Sequence, residues 1–222
     1  MFALAFEHEV ARQLAVLEEL STRLRLSGKI PRELSQEIEK WIRRVRQTRT
    51  IFTSLTDEDS RRKRQRFNAK AAIEQFSRQS EPFLSGATIT FADVDDDMAL
   101  PTGTFAEWSA VFQNLVVNAA NAMVDKRHRT INVTSTQTSR TATILIQYNG
   151  TGVDLKEAER LFEPFERRTK ISVERRALSV GGTGLGLTIV RLIARNLGFS
   201  VSFVRPKPGF STCLKVEWQE KD

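Results

Sequence analysis

The chain has 222 residues, 40% of them hydrophobic and 27% charged, and carries a net charge of +7 at pH 7. That length can enclose one large or two small cores, and no apolar run is long enough to span a bilayer. A single cysteine, Cys213, excludes an internal disulfide, no leader-like segment opens the chain, and a reducing cytoplasm is the expected location.

Over residues 3–26 the side chains Val10, Leu14, Leu17, Leu20 and Leu24 recur at helical spacing, while His8, Arg12, Glu19 and Arg23 gather on another face. Ser27, Gly28 and Lys29 interrupt this amphipathic helix. Pro31 suits the first turn of a second, whose apolar stripe is Leu34, Ile38, Trp41, Ile42, Val45 and Phe52. Two helices with one stripe each cannot enclose a core, so a second copy is expected to complete a four-helix bundle in a homodimer.

The positive charge peaks in the run Arg61, Arg62, Lys63, Arg64, Gln65, Arg66. It has no interleaved aromatics for base stacking, so it is read as a solvated connector and no nucleic-acid partner is expected. Asn68 then suits the cap of a helix to about residue 84, followed by a strand over 87–92. Asp93, Asp95, Asp96 and Asp97 lack the glycine and distal glutamate of a calcium loop and are read as an exposed turn. A long helix over 105–124, strands over 130–137 and 141–147 and a short helix over 154–161 come next. An irregular stretch over 163–180, a helix over 184–197 and strands over 199–204 and 211–218 close the chain. The order predicts an α+β protein: an N-terminal helical hairpin (1–66) followed by a two-layer α/β sandwich (67–222).

Six of the 11 glycines fall in two segments, Asn149-Gly150-Thr151-Gly152 and Gly181-Gly182-Thr183-Gly184-Leu185-Gly186-Leu187. Glycines leading into a helix leave backbone N-H groups and the positive end of the helix dipole aimed at one place, which suits phosphate. Upstream, the helix carries Asn114, Asn118 and Asn121 about one turn apart, so the three amides can share a face of an otherwise apolar element. Leu161-Phe162-Glu163-Pro164-Phe165 lies between the glycine segments.

These four elements, in this order, resemble the N, G1, F and G2 boxes of the histidine-kinase branch of the GHKL ATPase superfamily. The resemblance implies an ATP site in which Asn118 holds Mg²⁺, an amide oxygen being a suitable hard ligand, and Asn114 and Asn121 face the nucleotide. It also implies that Gly150 and Gly152 line the pocket and that Gly182, Thr183, Gly184, Leu185 and Gly186 wrap the phosphates. Residues 163–180 then form a lid bearing Arg167, Arg168 and Lys170, and Thr212 lines the adenine pocket. One position departs: the family's G1 box begins with an aspartate that accepts a hydrogen bond from the adenine amino group, and here Tyr148 stands there. Tyrosine can stack on the base, plug the pocket or mark an inactivated variant. Asn149 is expected to face the other way on its strand and not to substitute.

Near the start, Phe6-Glu7-His8-Glu9-Val10 resembles the H box of a histidine kinase. Imidazole has an ordinary pKa of about 6.5, so a neutral His8 has a lone pair for phosphorus, and Glu9 can accept the other ring N-H. Arg12 and Gln13 replace the polar residue and proline common at those places in the family. The resemblance therefore implies a sensor histidine kinase core that phosphorylates His8 from ATP and passes the group to the receiver domain of a response regulator. A second reading is a degenerate scaffold that signals by binding alone. A third is an ATP-hydrolysing clamp of the gyrase type, disfavoured because Asn114 stands where such enzymes carry a water-activating glutamate.

Overall fold

A computed structural model describes residues 15, 18–23, 26, 62–81, 84, 86–163, 166 and 185–220. The chain divides into two compact units, Met1–Lys63 and Arg64–Asp222. In the first, the described residues between 15 and 26 are helical, with an i,i+4 ion pair between Glu19 and Arg23 and with Ser21 buried. The rest of the expected hairpin lies outside the described residues.

The second unit is a mixed five-stranded sheet with helices. Its elements are α1 (Ala69–Ser80), β1 (Thr88–Thr90), α2 (Phe105–Ala122), β2 (Thr130–Gln137), β3 (Thr141–Tyr148), a 3-10 helix (Ala158–Phe162), α3 (Gly186–Leu197), β4 (Phe199–Val204) and β5 (Thr212–Gln219). The strands lie in the order β1-β2-β3-β5-β4, with β1 parallel to β2 and every other pair antiparallel. A parallel pair needs a crossover, and the chain supplies it with α2 between β1 and β2.

Strand periodicity then sorts the side chains. Ile131 and Val133 on β2, Ala142, Ile144, Ile146 and Tyr148 on β3, and Thr212, Leu214, Val216 and Trp218 on β5 are all buried, and the register sets them side by side on one face. Ile131, Tyr148 and Thr212 form the last row of that face at one end of the sheet.

The helix layer is joined by aromatic contacts. Phe76 of α1 stacks on Phe112 of α2 at 5.5 Å, and Trp108 of α2 stacks on Phe199 of β4 at 4.9 Å. Trp108 is fully buried and donates its indole N-H to the Pro101 carbonyl at 3.0 Å, so it packs without an orphaned donor.

Helix ends follow local chemistry. Asn68 accepts from the Ala71 N-H at 2.9 Å, the expected cap. Helix α1 stops at Ser80, short of the expected residue 84, because Pro82 cannot donate an N-H to continue it. Thr104 and Glu107 form a reciprocal capping box at the start of α2. The expected helix over 154–161 is instead the 3-10 turn Ala158–Phe162, since the Asp154 carboxylate takes the Lys156 N-H at 2.9 Å and holds a turn there. Gly198, at φ 77°, closes α3 in the left-handed conformation that suits glycine. Asp93, Asp95, Asp96 and Asp97 are exposed, as a solvated turn requires.

The basic run is not simply solvated. Arg64 turns inward to Glu107 at 2.6 Å, Arg66 pairs with Glu220 at 3.0 Å, and Gln65 exchanges backbone hydrogen bonds with Gly103 at 2.9 and 3.0 Å. Charge patterning within the run does not reveal which of its residues turns inward to an acid lying 43 residues away.

Candidate functional site

Helices α2 and α3 meet where the sequence predicts the phosphate end of the site. Gly186, the first residue of α3, lies so close to α2 that a Cβ there would stand 2.8 Å from Asn114 Oδ1 and 3.5 Å from Asn118 Nδ2. Any side chain there would require Asn114 or the start of α3 to shift. Asn114 is held in turn by its Nδ2, which donates to the Ala110 carbonyl at 2.8 Å. Asn114, Asn118 and Asn121 are all partly exposed rather than buried, as ligand-facing amides need to be. Leu185 and Gly186 are described, whereas Gly182, Thr183 and Gly184 lie outside the described residues, as do His8 and Glu9.

The second glycine segment approaches the same helix from the sheet. A Cβ on Gly150 would meet the Ala122 carbonyl at 2.9 Å and Tyr148 Cδ2 at 3.1 Å, and Gly152 adopts φ 78° beside Ser211. Ser211 pins this loop by donating its hydroxyl to the carbonyls of Gly150 at 2.8 Å and Tyr148 at 3.2 Å. Asn149 is committed elsewhere: its Oδ1 accepts from the Thr130 N-H at 3.0 Å and its Nδ2 donates to the His128 carbonyl at 2.9 Å. Both of its amide atoms are thus engaged by neighbouring backbone.

Tyr148 ends β3, is buried, and lies directly between Ile131 and Thr212 in register. The Thr212 hydroxyl is buried and has no hydrogen-bond partner among the described residues. A buried orphan hydroxyl costs on the order of 1–3 kcal/mol, so this position is where a polar ligand edge could be accommodated.

The F-box segment is anchored onto α3. Thr188 donates to the Phe162 carbonyl at 3.1 Å, and the Arg191 guanidinium sits 4.3 Å above the Phe162 ring while pairing with Glu159. These contacts set the residue before the expected lid against the first turns of the helix after it. Phe165, Arg167, Arg168 and Lys170 lie outside the described residues.

On these observations the phosphate end fits a Mg²⁺-nucleotide. It has a hard oxygen donor at Asn118, a backbone approach cleared of side chains at Gly186, and a helix N-terminus at the same point. At the end of the sheet expected to face the base, the Thr212 hydroxyl is unpaired among the described residues, and position 148 carries no carboxylate.

The family model for histidine kinase-, DNA gyrase B- and HSP90-like ATPases matches residues 106–222, and the chain belongs to that family. Over 136 residues the chain is 32% identical to the sensor protein IrlS of Burkholderia pseudomallei, a match covering 59% of this chain and 26% of that protein. Over 113 residues it is 36% identical to the phosphate regulon sensor protein PhoR of Pseudomonas aeruginosa, covering 50% of this chain and 24% of that protein. The match thus spans about a quarter of each sensor protein's length. Among solved structures, the chain is similar to the mycobacterial sensor histidine kinase MprB, at a TM-score of 0.58 and 18% identity over 70% of this chain and 97% of that one. It is also similar to the Acinetobacter baumannii histidine kinase AdeS, at a TM-score of 0.63 and 16% identity over 97% of this chain and 98% of that one. These likenesses establish the histidine-kinase-type ATPase fold. Among the described residues no helix is long and apolar enough to cross a membrane.

Glu107 and Asn196, which matter to this unit, were not singled out from sequence. The Thr104-x-x-Glu107 pattern is a legible capping box, but Glu107's further partners, Arg64 and Asn196, are distant in sequence.

Proposed function

We propose that this chain is the core of a sensor histidine kinase that transfers the γ-phosphoryl group of ATP to His8 and passes it on to a response regulator receiver domain. The observation that carries the proposal is the meeting of Gly186 with Asn114 and Asn118, beside the Gly150–Gly152 loop. In this reading Asn118 offers its amide oxygen to Mg²⁺ and the first N-H groups of α3 face the phosphates. When bound, Mg²⁺ supplies the charge neutralisation that phosphoryl transfer requires. His8 donates a ring-nitrogen lone pair to the γ-phosphorus as the bond to the ADP oxygen breaks. Glu9 accepts the other ring N-H, fixes the tautomer and takes up the released proton. A homodimer through the N-terminal helices is part of the proposal, and Leu20, 48% exposed in the single chain, supports a covering partner.

Incubation with γ-labelled ATP and Mg²⁺ tests the proposal. An acid-labile, alkali-stable label is expected, absent in His8→Gln, absent in Asn118→Ala and retained in His128→Gln, whose histidine is exposed among Lys126, Arg127 and Arg129. Label persisting in His8→Gln refutes the acceptor assignment.

Buried Tyr148 favours a second reading, a dimeric scaffold with weak nucleotide affinity. No labelling in the wild type and none in Tyr148→Asp selects it.

A further inference from the structure

Glu107 is fully buried, yet it is an acid on the first turn of an apolar helix. Its carboxylate accepts from the Thr104 N-H at 2.8 Å, which with the Glu107 N-H donating to Thr104 Oγ1 at 3.1 Å completes a capping box, and it accepts from the Thr104 hydroxyl at 3.0 Å as well. It also accepts from Arg64 at 2.6 and 3.3 Å and, over a longer 3.4 Å, from Asn196 Nδ2 on the last turn of α3. One carboxylate therefore gathers three parts of the unit: its first residue, the start of α2 and the end of α3.

The same junction is closed a second time by backbone. Gln65 and Gly103 exchange two hydrogen bonds, and a Cβ on Gly103 would lie 2.8 Å from Leu197 Cδ1 and 2.8 Å from Trp108 Nε1. Residues 64–65 thus press, through Gly103, against both the end of α3 and the start of α2.

The two helix contacts fix a geometry. Glu107 near the start of α2 meets Asn196 near the end of α3, and Asn114 and Asn118 farther along α2 meet Gly186 at the start of α3. The helices therefore run antiparallel, clasped at one end and forming the phosphate end of the site at the other. At 1.5 Å per residue, Asn114 lies about 10 Å along α2 from Glu107, and Gly186 about 15 Å along α3 from Asn196.

We propose that Arg64, through Glu107, is a positioning residue for this site: it sets the spacing of α2 and α3 at their clasped end and so the approach of Gly186 to Asn114 and Asn118. Arg64 opens the second unit immediately after its boundary, so a pull on the basic segment loads the clasp before any other part of the unit. The meaning of the site rests on the nucleotide reading above; the mechanical coupling does not. Burial gives the pair its leverage, because withdrawing the guanidinium leaves a buried carboxylate with only neutral donors, whereas an exposed ion pair is readily replaced by water.

Hydrogen exchange on the nucleotide-free chain tests the coupling, with Arg64→Gln as the main variant and Arg64→Lys as the conservative one. In Arg64→Gln the amides of residues 114–121 and 186–190 are expected to exchange about tenfold faster, with amides of β2 and β3 unchanged and Arg64→Lys intermediate. Acceleration confined to residues 64–69 and 98–107 would reduce the pair to a local staple and overturn the proposal. Uniform acceleration through the sheet would do so too, as a loss of global stability. Titration of both variants with ADP, with and without Mg²⁺, reads the site itself: Arg64→Gln should weaken the Mg²⁺-dependent part of binding severalfold. If exchange shows the coupling and neither wild type nor variant binds ADP, the nucleotide reading fails and the positioning role stands.

Discussion

Replacing Gly186 with alanine separates the stability of the unit from the competence of its phosphate end. The added Cβ would stand 2.8 Å from Asn114 Oδ1, closer than carbon and oxygen normally approach, and Asn114 cannot swing away freely because its Nδ2 is bonded to the Ala110 carbonyl at 2.8 Å. Relief requires either breaking that bond, worth about 0.5–1.5 kcal/mol, or shifting the start of α3 outward. Against this, alanine is favoured over glycine in a helix by up to about 1 kcal/mol, less at a first position, so the two nearly cancel in folding. Chemical denaturation of Gly186→Ala should therefore give a stability within about 1 kcal/mol of wild type. Nucleotide binding has no such compensation, because the displaced groups are those proposed to face phosphate and Mg²⁺. Calorimetric titration with ATP and Mg²⁺ should show affinity at least about tenfold weaker, equivalent to about 1.4 kcal/mol. Unchanged affinity with unchanged stability would mean that phosphates do not lie at the meeting of Gly186 with the asparagines, and the reasoning would fail at its first step.

Tyr148→Asp should tighten ATP by about tenfold or more, since a hydrogen bond to an ionised acceptor contributes about 1.5–3 kcal/mol; equal or weaker affinity by calorimetry would show that the tyrosine has a productive contact of its own. Thr212→Val, nearly isosteric, removes a buried hydroxyl that has no partner, so thermal unfolding of the ligand-free protein should be unchanged or higher while ATP affinity falls; a lower melting temperature would show that the hydroxyl is satisfied in the folded protein. Burial raises the Cys213 thiol from 9.0 to about 11, with Lys207 opposing. The unfolded chain ionises first, so wild type should lose stability relative to Cys213→Val as the pH rises from 9 to 11 and show no such difference below 9; parallel curves across that window would refute a buried neutral thiol.

The parts of the site legible in the sequence are those where function imposes a rare local composition. Asparagines spaced by one turn on an apolar helix, and glycines clustered before another, have few explanations other than a polar ligand beside close-packed backbone. Gly186, with no room for a Cβ against Asn114, shows the physical reason for that signal. Strand boundaries were legible because buried and less buried residues alternate over the first half of β2 and most of β3, although Thr134 and Gln147 are buried out of turn. The clasp was not, since Arg64 is one of five basic residues within a run of six and nothing local distinguishes the one that turns inward. The choice is made by Glu107, brought near only by the fold. The shortened α1 and the 3-10 turn at Ala158–Phe162 yielded to Pro82 and Asp154, single residues whose backbone chemistry overrides apolar periodicity.

The two ends of the candidate site rest on different parts of the fold, so a change at one need not disturb the other. Asn114, Asn118 and Gly186 belong to the helix pair; Tyr148 and Thr212 belong to neighbouring strands. A tyrosine at 148 extends the apolar row that begins at Ile131 and is buried in the ligand-free protein, where an aspartate would place a charge that costs several kcal/mol unless a donor meets it. Tyr148 thus suits the ligand-free row of the sheet better than a carboxylate would. Nothing in that choice touches the helix junction, so the phosphate end can retain its geometry whichever residue occupies position 148.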